Sequence, residues 1–415
     1  YEIVEKKTVT LPDELIGIIR CKNPKCITNN EPMRTHFRVV NPANGTLCCH
    51  YCNTQQSLDE VKAILLAEVQ KLKAGDFDDD LLVSIINNLG GKAIGMCGID
   101  GGMIQAKKLE GDDFELMPWD MGFYSNKLQE KEYNINSEML RPYLELGRVK
   151  KGVFGLATRL YGITFKERND IPVYNKDIDV YEVDDEDGTY LALLYCDFYP
   201  REDKKSGAWM TTFKGQWKEA DGTDSRPHVS LVMNFTKPTE EKPALLTLGE
   251  VETFLHEFGH SLHGIFANTT YEAMSGTNVY WDFVELPSQF MENYAVEKEF
   301  LNTFAFHYQT GEPMPDELIA RIHKANNFNV GYACLRQLSF GYLDMAYYNR
   351  NEMLLEDTDI QAFEKKAWEA TQLLPMVPGC CMSTQFGHIM CGGYSAGYYS
   401  YKWAEVLDAD AFALF

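Results

Sequence analysis

Two histidines four residues apart, with a glutamate between them, are the residues of this chain best placed to do chemistry: His256-Glu257-Phe258-Gly259-His260. On a helix, positions i and i+4 share one face about a turn apart, so both imidazoles can reach one Zn²⁺. Glu257 then lies beside the position left for a water, where it can act as a base. This pattern predicts zinc peptidase chemistry. A third donor must complete such a site. Glu285 follows His260 by 25 residues, which suits a helix, a loop and a second helix folding back. Pro287 fits the first turn of that second helix. Phe283, Leu286 and Phe290 around Glu285 predict its burial, and a buried carboxylate demands a partner such as a metal.

The flanking sequence predicts the element that carries the motif. Thr247-Leu248-Gly249-Glu250 is a capping-box pattern, so a helix should start near Leu248. Leu255, Phe258, Leu262 and Phe266 mark an apolar stripe along it. Two solvated histidines on a surface helix are the plainer alternative, and a buried face weighs against them.

A second set of metal-binding side chains lies near the start. Cys21-x4-Cys26 and Cys49-x2-Cys52 flank a β-patterned stretch around His36-Phe37-Arg38-Val39-Val40. Four thiolates at this spacing suit a closed, tetrahedral structural zinc site, and a segment this small needs such a staple. Free thiols in a loop-rich segment are the alternative. Cys48 is out of register and stays outside the site. Eleven cysteines, five of them between Cys21 and Cys52, suggest thiols and metal rather than a disulfide framework.

At 415 residues the chain can hold two or three domains. Residues 1–62 read as a small β zinc domain, residues 63–112 as a linker with a short Gly-rich piece, and residues 113–415 as one mainly helical domain. Within the last, a polar, β-patterned insert runs between Ile171 and Phe235. Val61 to Lys73 is helix-patterned. The Gly-rich stretch from Leu82 to Gly102 matches neither G-x-G-x-x-G nor the P-loop, and a strand and turn explain it better than phosphate binding. A net charge of −22 argues against nucleic acid as a partner. No run of about 18 apolar residues predicts a membrane helix. No signal peptide is visible, which points to the cytoplasm. The chain begins at Tyr1 and ends inside the apolar pattern Ala411-Phe412-Ala413-Leu414-Phe415. A fragment at both ends is therefore expected, with room for a targeting segment outside it.

Three resemblances follow. Leu255 to His263, with Gly276-Thr277-Asn278 and Asp282 to Gln289, resembles the thimet oligopeptidase family, which includes oligopeptidase A and bacterial dipeptidyl carboxypeptidase. Trp119-Asp120, Lys205-x-Gly207-Ala208-Trp209 and the block from Phe386 to Phe415 continue it over roughly 300 residues. The resemblance implies a zincin-like catalytic domain, zinc ligands at His256, His260 and Glu285, and a general base at Glu257. It also implies substrate-binding and oxyanion-stabilising roles for His388, Tyr394 and Tyr401, and short peptides as substrates. His263 and Tyr398 are assigned to packing, and Cys391 stands where the family usually has a small residue. The spacing of His388, Tyr394 and Tyr401 leans toward the branch that releases C-terminal dipeptides. Residues 1–62 resemble the zinc domain of the aspartate carbamoyltransferase regulatory chain, where the zinc is structural. The matching residues are Leu11-Pro12, the two cysteine pairs and the Asn41-Pro42-Ala43-Asn44-Gly45 turn. That likeness implies docking on a partner without naming one. Leu82 to Leu109 resembles an internal piece of acetylglutamate kinase that is too short to imply kinase activity.

The expected architecture is a mainly α metallopeptidase with a small β insert, preceded by a small β zinc domain, with one catalytic and one structural Zn²⁺. The competing expectation is a catalytically incompetent composite whose stable part is the zinc-binding interaction module at residues 1–62.

Overall fold

The computed structural model describes residues 14–16, 25–26, 36–41, 46–57, 110–111, 114–372 and 374–414. The helix-patterned stretch from Val61, the Gly-rich piece and the kinase-like segment lie outside the described residues, as does Cys21. The chain divides into two compact units, residues 1–114 with 327–334, and residues 115–326 with 335–415.

In the first unit, four strands form an antiparallel sheet in chain order: β1 (Glu14–Ile16), β2 (His36–Asn41), β3 (Thr46–Cys49) and β4 (Gln55–Ser57). The β pattern at His36 to Val40 is therefore a strand. Phe37 and Leu47 are fully buried and pack with Cys26 and Cys49, so this core is built directly around thiols.

The second unit is largely helical with one main sheet. Its helices begin with α1 (Met121–Tyr133), α2 (Ser137–Leu140) and α3 (Leu146–Tyr161). Glu145 caps α3 by accepting the N–H groups of Gly147 and Arg148. Strands β5 (Thr164–Glu167), β6 (Asp179–Asp184), β7 (Tyr190–Asp197), β8 (Trp209–Lys214) and β11 (His228–Val232) form a sheet in the order β5-β6-β7-β11-β8. The β7–β11 pair is parallel and the other neighbours are antiparallel. A small ladder joins β9 (Trp217–Lys218) to β10 (Asp224–Ser225). The sheet thus starts at Thr164, a few residues before the polar insert read from the sequence.

Helix α4 (Leu248–Ile265) packs on this sheet. Its N-terminus carries the full capping box: Glu250 N–H donates to Thr247 Oγ1 at 3.1 Å, and Thr247 N–H donates to Glu250 Oε2 at 2.7 Å. Leu255, Phe258 and Leu262 are buried as expected. Phe266 is not: the helix ends at Ile265, and Phe266 is its C-cap, 40 % exposed. The stripe stops one residue earlier than the periodicity predicted because the chain leaves the helix there.

After α4 come α5 (Trp281–Val284), α6 (Leu286–Glu292), α7 (Lys298–Phe304), α8 (Asp316–Ala325), α9 (Val330–Tyr348), α10 (Ile360–Ala367), α11 (Gly387–Met390) and α12 (Ser400–Phe412). Pro287 sits in the first turn of α6, as expected. Helices α4 and α6 touch through backbone: a Cβ on Gly259 would stand 2.4 Å from Pro287 O and 2.6 Å from Ser288 Cα. Only glycine allows that approach. Among the described residues, no helix is long and apolar enough to cross a membrane.

Candidate metal and active site

Helix α4 brings His256 and His260 onto one face, with ring centroids 4.9 Å apart at 86°. The turn between α5 and α6 brings Glu285 against them. Its Oε2 lies 3.3 Å from His256 Nε2 and 3.2 Å from His260 Nε2. The three donor atoms lie within 4.8 Å of one another, and Glu285 is 1 % exposed. Two imidazole nitrogens and one carboxylate oxygen converging on one point suit a Zn²⁺ with a position left open.

Glu285 is buried as expected, although Phe283, one of the three apolar neighbours expected around it, is 45 % exposed. Polar partners hold the carboxylate: Ser288 Oγ donates to Oε2 at 2.9 Å, and Tyr394 OH donates to Oε1 at 2.6 Å. Burial alone would raise the Glu285 pKa, but the two histidines hold it well below the usual carboxylate range. Burial would likewise lower His256, yet Glu285 and Glu292 raise it to about 10. Each histidine thus faces negative charge that a bound cation would also satisfy.

His256 has a second carboxylate behind it: Glu292 Oε1 lies 2.5 Å from its Nδ1. Glu292 and Glu285 are seven residues apart, two helical turns, and so share a side of the chain. Sequence reasoning passed over Glu292 and Ser288, although that spacing could have flagged Glu292.

Glu257 is 6 % exposed, and its Oε2 is buried with no hydrogen-bond partner. Burial pushes its pKa up against the pull of His256 and His260. An unpartnered buried carboxylate oxygen beside the converging donors is available to a water's proton.

The glycine- and tyrosine-rich block supplies the other wall. Tyr401 stacks on Tyr394, centroids 5.2 Å apart at 14°. His388 meets both edge-on, at 5.7 Å from Tyr394 and 6.2 Å from Tyr401. Burial pushes both phenols far above their ordinary pKa, so both remain hydrogen-bond donors at neutral pH. Burial lowers His388. Trp281 packs on the far side of Tyr394, centroids 4.3 Å apart. Tyr398 is buried against Phe340 and Phe386, in keeping with packing. Cys391 faces solvent, so its side chain is accommodated without disturbing that packing.

In the first unit, Sγ of Cys26 lies 3.7 Å from Sγ of Cys49. Cys26, Cys49 and Cys52 bring three sulfurs within 4.8 Å of one another. Cys48 is turned away, its Sγ near its neighbour's carbonyl, as its register predicted.

Two histidines one turn apart on a capped helix, facing a buried glutamate and bracketing a second whose Oε2 has no partner, define the arrangement of an H-E-x-x-H metallopeptidase. The chain belongs to peptidase family M3, which it matches over residues 87–415. Residues 13–62 match the metal-binding domain of the aspartate carbamoyltransferase regulatory chain. The family match begins inside residues 82–109, the stretch expected to be a piece of acetylglutamate kinase.

Oligopeptidase A of Escherichia coli is 43 % identical over 305 residues, covering 72 % of this chain and 44 % of the relative. Dipeptidyl carboxypeptidase of Escherichia coli is 42 % identical over 306 residues, covering 73 % and 44 %. A probable cytosolic oligopeptidase A of Arabidopsis thaliana is 40 % identical over 306 residues, covering 72 % and 44 %. The chain spans less than half the length of these relatives.

Proposed function

We propose that the chain hydrolyses peptide bonds in short oligopeptides with a catalytic Zn²⁺ held by His256, His260 and Glu285. The observation that carries this reading is the convergence of those three donors beside a Glu257 oxygen with no partner of its own. Bound there, the ion would polarise the substrate carbonyl and make a water acidic enough to attack near neutral pH.

The remaining work falls to side chains. Glu257 takes the proton of the attacking water and passes it to the leaving amine. The hydroxyls of Tyr394 and Tyr401 donate to the oxygen that becomes negative in the tetrahedral state. His388, kept neutral by burial, orients the peptide through a ring N–H. Glu292 holds His256 in the tautomer and orientation a metal ligand needs.

In the same reading, residues 1–62 form a domain around a structural Zn²⁺ on Cys21, Cys26, Cys49 and Cys52, residues 63–112 a linker, and residues 113–415 the zincin-like catalytic domain. The match of residues 13–62 to a metal-binding domain supports the first of these. The setting is the cytoplasm, in keeping with the relative named as cytosolic. Near-equal identity to an oligopeptidase and to a dipeptidyl carboxypeptidase supports both internal cleavage and dipeptide release. Peptides with free and amidated C-termini separate the two modes.

The test is hydrolysis of a quenched fluorescent peptide by the zinc-loaded chain. Chelator should abolish it and zinc restore it. Glu257→Gln should retain zinc and lose about 10²–10⁴-fold in kcat. A zinc-loaded wild-type chain that cleaves no peptide would favour instead the catalytically incompetent composite, a reading motivated by the chain's short span relative to its relatives.

A further inference from the structure

Tyr394 and Tyr401 sit on a surface segment whose conformation is not one its own sequence prefers. Ala396 has φ 56°, in the left-handed region that costs a residue with a Cβ. Gly393, at φ 90°, lies under Trp281, where a Cβ would meet the indole at 2.8 Å. Something outside the segment must impose this path.

Helix α9 supplies it. Asp344 is fully buried, and each of its carboxylate oxygens accepts one backbone N–H from the segment. Ala396 N–H donates to Oδ1 at 2.8 Å, and Tyr398 N–H donates to Oδ2 at 2.9 Å. The left-handed turn at Ala396 lets two N–H groups two residues apart face the same carboxyl group, a small backbone cradle. One helical turn later, Tyr348 OH donates to Ile389 O at 2.6 Å, and Ser395 Oγ donates to the same carbonyl at 2.7 Å. Losing the Asp344 acceptor would strand both donors.

We infer that Asp344 is the positioning residue of the tyrosine segment: its two hydrogen bonds to Ala396 and Tyr398 fix the backbone that places Tyr394 OH on Glu285 and stacks Tyr401 against Tyr394. Asp344 touches none of the reacting groups and acts through the segment alone. The inference rests on the proposed peptidase reading for its kinetic consequence and on geometry alone for its structural one.

Asp344→Asn keeps the shape of the side chain but turns one acceptor into a donor facing a donor. Hydrogen exchange followed by mass spectrometry should show residues 391–399 exchanging at least about 10-fold faster, with residues 251–265 and the zinc content unchanged. Unchanged exchange in 391–399 would overturn the inference. On a quenched peptide, kcat should fall on the order of 10²-fold with KM nearly constant. In a Tyr394→Phe/Tyr401→Phe background, the same substitution should cost little, because the groups it positions are already gone. An undiminished kcat, or an equal loss in both backgrounds, would count against it. If the variant does not fold, the wild-type chain still decides. The Ala396 and Tyr398 amides should be the slowest to exchange in the segment, and rapid exchange there would sink the idea. A wild-type chain that cleaves nothing would remove the peptidase reading, while the exchange measurement would still judge Asp344.

Discussion

At the scale of single residues, the central pattern is a chain of carboxylates and imidazoles in which each group fixes the next. Glu292 holds His256 from behind, and Glu285 faces both histidines while Ser288 and Tyr394 hold Glu285 in turn. Glu292→Gln removes the charge behind His256 but preserves its shape. Zinc affinity should fall about 10–100-fold, read by competition with a chromophoric chelator. An unchanged affinity would mean that Glu292 contributes only packing. His256, Glu257 and His260 were legible because the chemistry is written within five adjacent residues. Glu285 was legible from its helix-loop-helix spacing, although the hydrogen bonds from Ser288 and Tyr394 that hold it were not. The spacing from Glu285 marks Glu292 as a candidate, but only the crossing of two helices shows that it backs His256. Asp344 lies 50 residues before Tyr394, and no local signal joins them.

At the scale of elements, the donor set depends on how closely two helices approach. Gly259 lies in sequence between His256 and His260, on the side of α4 that meets the first turn of α6. Gly259→Ala would place a methyl 2.4 Å from Pro287 O, with backbone rather than a flexible side chain to displace. Overpacking of this kind costs about 1–3 kcal/mol. The variant should melt several degrees lower, and zinc affinity should fall with it, since Glu285 would move away from both histidines. Calorimetry with and without zinc would show both effects; a purely thermal effect would mean that the helix crossing does not set the site. The capped start of α4 and the place of Pro287 in α6 could be read in advance because caps and proline act locally. The sheet order β5-β6-β7-β11-β8 could not be. Its parallel β7–β11 pair joins strands separated in sequence by β8, β9 and β10, and pairing of that kind leaves no periodic trace.

For the molecule as a whole, the pH response can be followed through Asp408 on α12. Burial, reinforced by the Glu292 charge and partly offset by Asn293 and Lys402, pushes this carboxyl up from 3.8 to about 6. The folded state therefore holds a proton that the unfolded chain releases earlier. Below about pH 4 both states are protonated, and Asp408 costs nothing. Between about 4 and 6 stability falls as pH rises, and above 6 the penalty is complete. Asp408→Asn should raise the melting temperature at pH 8 and leave it nearly unchanged at pH 4. Equal shifts at both values would exclude this charge as the cause. Composition alone separates a cysteine-paired opening from a long helix-patterned remainder. The family match starting at residue 87 reaches further toward the N-terminus than the helical pattern did, because a Gly-rich stretch carries little periodicity to read.

The hydrogen bond from Tyr394 to Glu285 makes the phenol a latch as well as a donor. A ligand can claim that hydroxyl only by offering an oxygen at least as attractive as the glutamate it already serves. Compounds that lack such an oxygen leave the latch closed and compete through their other contacts alone. Under the proposed peptidase reading, compounds with an anionic oxygen at the position of the tetrahedral state open it and gain the difference between the new bond and the one given up. Inhibitors of equal size should therefore sort by the charge on a single atom.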